Sequence, residues 1–511
     1  MQKIFSLLFT FFLVPCLVFG QVVVTDFPEH LQLYPRDISS NLATVTAAGT
    51  VDLSAITYSE MRLKVYRDGV LQATEVQSIG PGTGIVPFSI SYDIPGELNN
   101  YKFELLGFNG AENMIQSADS VVAGDMYIIY GQSNGEASMY DGSASGDASP
   151  YIRVYGRSVN FNLNYIDWHV GQGDGDLLSD GNTGQWGMKL ARNIIDNHAV
   201  PVAIFNACWG GQNLDFFTRN DADHDDFSTQ YGKTLTRLLQ TGGDQKVRGF
   251  FWFQGENEAD NGESTDSYKA EFAALFSDLK ENYTVDQYYM VQIRDGAYFS
   301  FNNTLPIQEA QRQLADSIPE MELISTNTLQ HHTDDVHYAY VNGYEKMGDI
   351  SYLMINRDIY GGPSVDIATP TITGAAITGA AEITLYTALS DVLSADAGIE
   401  TYFILNGTAV TVTGVSIIGG SDIVLSLSGA PTGISSISYS TPVGATNSVI
   451  NASGVGLTAF NEFPVGTLPI ELLSFDGRLL QDQIELSWIT ASEKNNAHFD
   501  IQRSDNGQAW H

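Results

Sequence analysis

Asp125-Met126-Tyr127-Ile128-Ile129-Tyr130-Gly131-Gln132-Ser133-Asn134-Gly135 is the stretch whose reading decides the fold. Apolar, β-prone residues run without a break into Gly-Gln-Ser-Asn-Gly. That reads as a buried strand ending in a tight turn, with Ser133 at the strand's carboxyl end. Open α/β sheets place their chemistry at that end. Taken alone, Gly-x-Ser-Asn is also ordinary loop composition, and it is the order of segments downstream that gives it weight.

From 121 to about 360 the texture alternates between strand and helix. Trp186, Leu190, Ile194 and Ile195 share one helical face, and the strand Val202-Ala203-Ile204-Phe205 follows. Tyr231, Leu235, Leu238 and Leu239 mark the next helix, before a strand from Val247 to Phe253. Tyr268, Phe272, Leu275 and Leu279 mark another, before Tyr288 to Ile293. A further helix follows Pro306, placed in its first turn, and a strand covers Glu322 to Ser325. Such alternation predicts a mostly parallel sheet with helices on both faces.

The flanks read as β structure. In Met61 to Arg67 every second side chain is apolar, and Asp68-Gly69 supplies a hairpin turn. Phe88 to Tyr92 and Tyr101 to Leu105 repeat the alternation, so residues 21–120 are expected to form a β-sandwich. A Gly-, Ser-, Thr- and Val-rich region at 366–465, with short strands at Val410–Thr413 and Ile423–Leu427, is expected to form another. A β segment from 466 to 511 stops as if in mid-strand, which reads as the start of a truncated module.

Met1 to Gly20 carries Lys3, an apolar run from Ile4 to Phe19 and a cleavable end at Gly20, the pattern of a secretory signal. Cys208 is then the one cysteine of the mature chain, so no internal disulfide is expected. The chain has 60 acidic and 24 basic residues, a formal charge of −36. That surface repels phosphate backbones and anionic lipid, which argues against nucleic-acid and membrane partners. The acidic run Asp221-Ala222-Asp223-His224-Asp225-Asp226 has oxygen ligands suited to calcium, but such runs are commonly solvated loops, and no cofactor is expected.

A serine hydroxyl is a poor nucleophile at neutral pH and needs a base, a carboxylate behind the base and donors for the oxyanion. His337 in Thr333-Asp334-Asp335-Val336-His337-Tyr338 suits the base, with Asp334 three residues earlier. Asp334 or Asp335 equally suits an N-cap for the following helix. His331 and His332 have no carboxylate at comparable spacing before them. Asn206-Ala207-Cys208-Trp209-Gly210-Gly211 ends a strand with paired glycines, where a backbone N–H can approach a substrate oxygen. Phe253-Gln254-Gly255-Glu256-Asn257-Glu258 ends another; Gln254 has an amide to offer an oxyanion and Glu256 can anchor the turn. Read as extended chain, Glu256 and Glu258 would point the same way as a glycosidase pair, a chemistry with no need of the serine motif. Trp186, Trp209 and Trp252 are candidates for stacking on a sugar, although aromatics beside strands are usually core.

These blocks, Gly131-Gln132-Ser133-Asn134, Trp209-Gly210-Gly211, Trp252-Phe253-Gln254-Gly255-Glu256 and Asp334-Asp335-Val336-His337, resemble in order those of the SGNH hydrolase superfamily. More narrowly they resemble the sialate O-acetylesterase-like carbohydrate esterases, over roughly residues 121 to 355. The resemblance implies a flavodoxin-like three-layer α/β domain, at 121–362, flanked by the β-sandwich domains. It implies Ser133 as nucleophile, His337 as base and Asp334 as its partner. Oxyanion donors would come from the Ser133 and Gly211 N–H groups and the Gln254 side chain. Gln212-Asn213 departs from the family pattern after the glycines. Leu468 to Phe475 resembles a module found before the C-terminal sorting domain of secreted Bacteroidetes proteins.

The expectation is an exported enzyme that removes acetyl groups from a glycan. Its rival is a carbohydrate-binding or adhesion protein on an esterase scaffold, for which an intact Ser133, His337 and Asp334 would be superfluous. The identity of the acetylated glycan and the oligomeric state have no signature in the chain.

Overall fold

A computed structural model describes residues 22–159, 163, 166–243, 246–296, 301–387, 392–467, 472–480 and 483–490. The signal-like segment 1–20 and the chain beyond 490 lie outside the described residues. The chain divides into two compact units, Met1–Gly124 and Asp125–His511.

In the first unit, strand Leu42–Asp52 lies between Val22–Asp26 and Ile85–Pro95. Strand Glu60–Arg67 lies between Val70–Ser78 and Tyr101–Phe108. The alternation in the sequence has its expected consequence: Met61, Leu63 and Val65 are fully buried, while Arg62 and Lys64 on the other face both pair with Glu112. One hydrophobic cluster joins Val45, Ala47 and Phe88 of the first sheet to Leu63, Phe103 and Leu105 of the second. Asp68 and Gly69 both adopt positive φ (46° and 80°), the turn that suits the twist of a tight hairpin.

The second unit is built on a parallel sheet. Strand Val202–Asn206 runs parallel to Asp125–Ile129 on one side and to Ile152–Arg153 on the other. Beyond Met126–Gly131 follow Val247–Phe253, Val285–Val291 and Met321–Ile324, all parallel. The central strands are apolar on both faces because both are covered, as parallel sheets require. Phe251 meets Trp186 of helix Gln185–His198 edge-on at 5.3 Å, whereas its neighbour Trp252 meets Phe272 of helix Thr265–Asn282 at 5.6 Å. Alternate side chains thus enter different helical layers. Helix Gln230–Thr241 starts with the Thr229 side chain accepting the Gly232 N–H and ends at Gly242 with φ 65°.

Two local expectations change. Pro306 sits inside helix Phe301–Ser317 and not in its first turn. The Thr265 hydroxyl donates to the Pro306 carbonyl at 2.8 Å, a tertiary contact invisible to local spacing. Neither Asp334 nor Asp335 caps the last helix of the sheet domain, because that helix begins at Glu345 after an irregular turn at Tyr340–Tyr344.

Farther along, Glu382–Thr387 pairs antiparallel with Ile372–Gly379 and Asp422–Leu427, and Asp422–Leu427 pairs with Val412–Ile418. A three-stranded sheet of Phe403–Asn406, Ser436–Tyr439 and Phe460–Pro464 shares a hydrophobic cluster with it. Leu472–Leu480 and Gln483–Thr490 pair antiparallel. Among the described residues no helix is long and apolar enough to cross a membrane.

Candidate active site

The central strand ends where the sequence places its serine. Gly131 has φ 138°, and a Cβ there would collide with the Phe253 carbonyl, so only glycine lets the chain turn beside strand Val247–Phe253. The Gln132 N–H donates to that same carbonyl at 2.9 Å. Ser133 then opens the short helical turn Ser133–Glu136. A Cβ on Gly135 would lie 2.6 Å from Cys208 Sγ, so the turn is pressed against the next loop. Asn206, at the end of its strand, donates through Nδ2 to the carbonyls of Gly135 (3.1 Å) and Glu136 (3.3 Å). Ser133 itself stays partly accessible.

The histidine loop meets this turn through chain neighbours. Asn134 donates through Nδ2 to the Val336 carbonyl at 3.2 Å and to Glu256 Oε1 at 2.7 Å. Its Oδ1 accepts the Tyr344 hydroxyl at 2.9 Å. Asn134 is 1% exposed, so its contacts with Glu256 and Tyr344 are made away from water, while that with Val336 is part-buried. Within the loop, His337 Nδ1 lies 2.7 Å from Asp334 Oδ2. Asp334 Oδ1 accepts the N–H groups of Val336 and His337, each at 3.0 Å. Burial works to raise the Asp334 pKa, but the hydrogen bonds from His337 and Val336 outweigh it and hold the carboxyl well below the usual range. An ionised Asp334 fixes the proton on Nδ1 and leaves Nε2 as the basic nitrogen. Ser133 Oγ makes no hydrogen bond among the described residues; such bonds commonly tighten only with substrate.

The paired glycines lie on the other side of the serine. A Cβ on Gly210 would be 3.2 Å from Ser133 Cβ, and Gly211 has φ 68° with open space beside it. Gln254 is fully buried; its Nε2 donates to the Gln212 carbonyl at 3.3 Å and to Glu258. One amide hydrogen is therefore engaged by the chain just after the paired glycines and the other by the Glu258 carboxyl.

Three buried carboxyls stand behind the site. Burial raises Glu136, although the Ser138 hydroxyl (2.5 Å) and the Leu177 and Gly210 N–H groups oppose it. Burial pushes Glu256 up to about 6, against the Asn134 hydrogen bond. Burial pushes Glu258 up to about 7, against the Leu214 N–H at 2.5 Å. Glu256 and Glu258 lie in helix Glu256–Asn261, not in extended chain, and reach different partners. With 4% and 1% exposure they form no open carboxylate pair for a glycoside.

Several candidates prove structural. Trp186 and Trp252 are buried, donating to the Asn134 carbonyl (3.2 Å) and the Tyr268 hydroxyl (3.1 Å); only Trp209 keeps partial exposure. His331 is 5% exposed and engaged elsewhere, while His332 Nδ1 lies 3.4 Å from Asp334 Oδ2. Asp221 pairs with Arg219, which also holds Asp278 (3.0 Å) and Glu281 (2.7 Å). Among the described residues no group of three or more His, Cys, Asp or Glu is arranged to hold a metal. Tyr140 had no signal in the sequence, yet its ring stacks on His337 with centroids 4.0 Å apart and planes 10° from parallel.

A serine turn thus stands at the end of a central parallel strand of a mixed α/β domain, beside a glycine turn and a His–Asp loop. The fold is shared with a carbohydrate acetylesterase from Xanthomonas citri, at TM-score 0.61 and 17% identity over 86% of this chain and 99% of that one. A protein from Arabidopsis thaliana aligns at TM-score 0.36 and 15% identity, over 46% of this chain and 98% of its own. An acetyl xylan esterase from Butyrivibrio proteoclasticus aligns at TM-score 0.26 and 8% identity, over 67% of this chain and 99% of its own. None of the curated proteins matches the chain. Residues 123–350 match the family model described as carbohydrate esterase, sialic acid-specific acetylesterase. That segment is similar to this carbohydrate esterase family, and the match supports a carboxylic ester hydrolase.

Proposed function

We propose that the protein is an exported carbohydrate O-acetylesterase in which Ser133, His337 and Asp334 act as nucleophile, base and orienting carboxylate. The observation that carries this reading is the 2.7 Å His337–Asp334 pair on a loop joined to the serine turn by Asn134. His337 Nε2 takes the Ser133 proton as Oγ bonds to the acetyl carbon. The N–H groups of Ser133 and Gly211 receive the oxyanion, and Gln254 steadies the chain after the glycines through the Gln212 carbonyl. As the tetrahedral intermediate collapses, the C–O bond to the sugar breaks and His337 returns its proton to the departing hydroxyl. Water, deprotonated by His337, then attacks the acetyl-serine, and acetate leaves as Ser133 regains its proton. The partly exposed Trp209 beside Gly210 offers a face for the sugar. The β regions on either side are read as sandwich domains that stabilise the catalytic domain or place it on a polymer. The acidic surface and the signal-like Met1–Gly20 fit export and a neutral glycan.

The test is acetate release from acetylated xylan and from O-acetyl sialic acid by wild type and Ser133→Ala. Release that vanishes in the variant supports the reading and ranks the substrates. Equal release from both removes Ser133 as nucleophile. Binding of these glycans without release by wild type would favour the carbohydrate-binding alternative.

A further inference from the structure

The loop 332–337 is closed at its base like a hairpin. His331 bridges to Tyr338, the His332 N–H donates to the His337 carbonyl at 2.7 Å, and the Ala339 N–H donates to the Gln330 carbonyl at 3.1 Å. Small shifts at this base move His337 directly. One side of the loop is held by residues of the sheet domain, through Asn134 and Tyr140.

The other side is held from far along the chain. The His331 ring stacks on Tyr338 (5.2 Å, 21°), and its Nδ1 accepts the Gly444 N–H at 3.1 Å. Nδ1 is an acceptor only in the neutral ring. Burial first, then Arg294, lowers the His331 pKa to about 3, so the ring is neutral at any working pH. Arg294, 3% exposed, donates Nη1 to the Leu329 carbonyl at 2.6 Å and Nη2 to the carbonyls of Pro442 (3.0 Å) and Ala445. A single guanidinium thus joins the chain two residues before His331 to the turn at 442–445. The same seam continues below. Gln292 exchanges two hydrogen bonds with Ala459 (2.9 and 2.8 Å), and Asn327 Nδ2 donates to the Leu457 carbonyl at 2.6 Å. Gln292, Arg294 and Asn327 all lie within three residues of the ends of strands Val285–Val291 and Met321–Ile324. The β region after residue 366 therefore seats its 442–459 segment on the strand ends from which the histidine loop rises.

We propose that the Pro442–Ala445 turn is a working part of the active site, and that His331 is a positioning residue through which it sets His337. This rests on the esterase reading above. A merely structural β region would change stability when the contact is cut; a positioning contact changes turnover and loop order with the fold intact. His331→Phe keeps a ring on Tyr338 but removes the acceptor for Gly444. His331→Asn restores an acceptor oxygen near the Nδ1 position.

The experiment measures kcat, KM and amide hydrogen exchange over 330–339 in the full chain of wild type and both variants, with the thermal midpoint as a control. The expected result for His331→Phe is a kcat loss of about tenfold, the worth of one neutral hydrogen bond, with KM unchanged. Exchange at 332–337 becomes about tenfold faster, and His331→Asn recovers most of both losses. Arg294→Lys cannot bridge Leu329 to the 442–445 turn and reproduces the loss should His331→Phe not fold. A folded His331→Phe with wild-type kcat and wild-type exchange overturns the proposal. Faster exchange in a protein whose wild type releases no acetate supports the clamp and removes the esterase assignment instead.

Discussion

Asn134 Nδ2 donates to the Val336 carbonyl at 3.2 Å, linking the residue after Ser133 to the residue before His337 across 202 positions of sequence. Removing the amide leaves the buried Glu256 carboxyl, the Tyr344 hydroxyl and the Val336 carbonyl each without this partner. Each buried orphan costs about 1–3 kcal/mol. Asn134→Ala is therefore expected to lower unfolding free energy in urea by on the order of 3 kcal/mol. Asn134→Asp sets a carboxylate against Glu256 and is expected to be worse than alanine. The kcat of either falls more steeply than KM rises.

The three proposed catalytic groups act as one unit. Ser133→Ala and His337→Ala are each expected to reduce kcat by about 10⁴ or more, and the double variant by no more than the worse single one. Asp334→Asn loses the ionised partner of Nδ1 and is expected to lose about 10⁴ as well, with KM little changed. Steady-state acetate release measures all three. Multiplying losses would show that the serine and histidine work independently.

Tyr140 lies flat on His337 and limits its rotation. An aromatic pair of this kind contributes about 0.5–1.5 kcal/mol beyond its burial. Tyr140→Phe keeps the stack and is expected to retain activity within about twofold, whereas Tyr140→Ala is expected to lose about fivefold to tenfold in kcat. Loss in the phenylalanine variant equal to that in alanine would assign the role to the hydroxyl.

Glu256 makes stability fall with rising pH. Burial raises its pKa from 4.5 to about 6 in the folded protein, so between those values the folded state binds the extra proton. Its contribution is fully present below about pH 4.5 and is lost as pH rises through about 6, worth about 2 kcal/mol. Glu256→Gln keeps an acceptor for Asn134 and has no such titration. The difference in unfolding free energy between Glu256→Gln and wild type is expected to shift in favour of glutamine from pH 4.5 to 7. Chemical denaturation at four pH values reads it; a flat difference would place the Glu256 pKa near that of an exposed carboxyl.

Most of the sheet domain was legible because its periodicities are local. The strand at Val247–Phe253 and the helices around Trp186, Tyr231 and Tyr268 lie where apolar spacing put them, since a parallel strand covered on both faces must be apolar throughout. Pro306 misled because a helix entering through Phe301 tolerates it in a way no neighbouring residue announces. The pairing of His337 with Asp334 was readable from a spacing of three, which a loop can close on itself.

What the sequence determined by itself is therefore the local part: strand ends, glycine turns and a histidine next to its carboxylate. Tertiary structure alone decided the rest. It brought Asn134 to Val336, laid Tyr140 on His337, buried Trp186 and Trp252 as core and turned Gln254 towards Gln212. It also set Gly444 under His331. The physical reason is reach: hydrogen-bond spacing and side-chain periodicity are set by a few consecutive residues, but a contact between segments 42 to 202 residues apart depends on how whole layers pack.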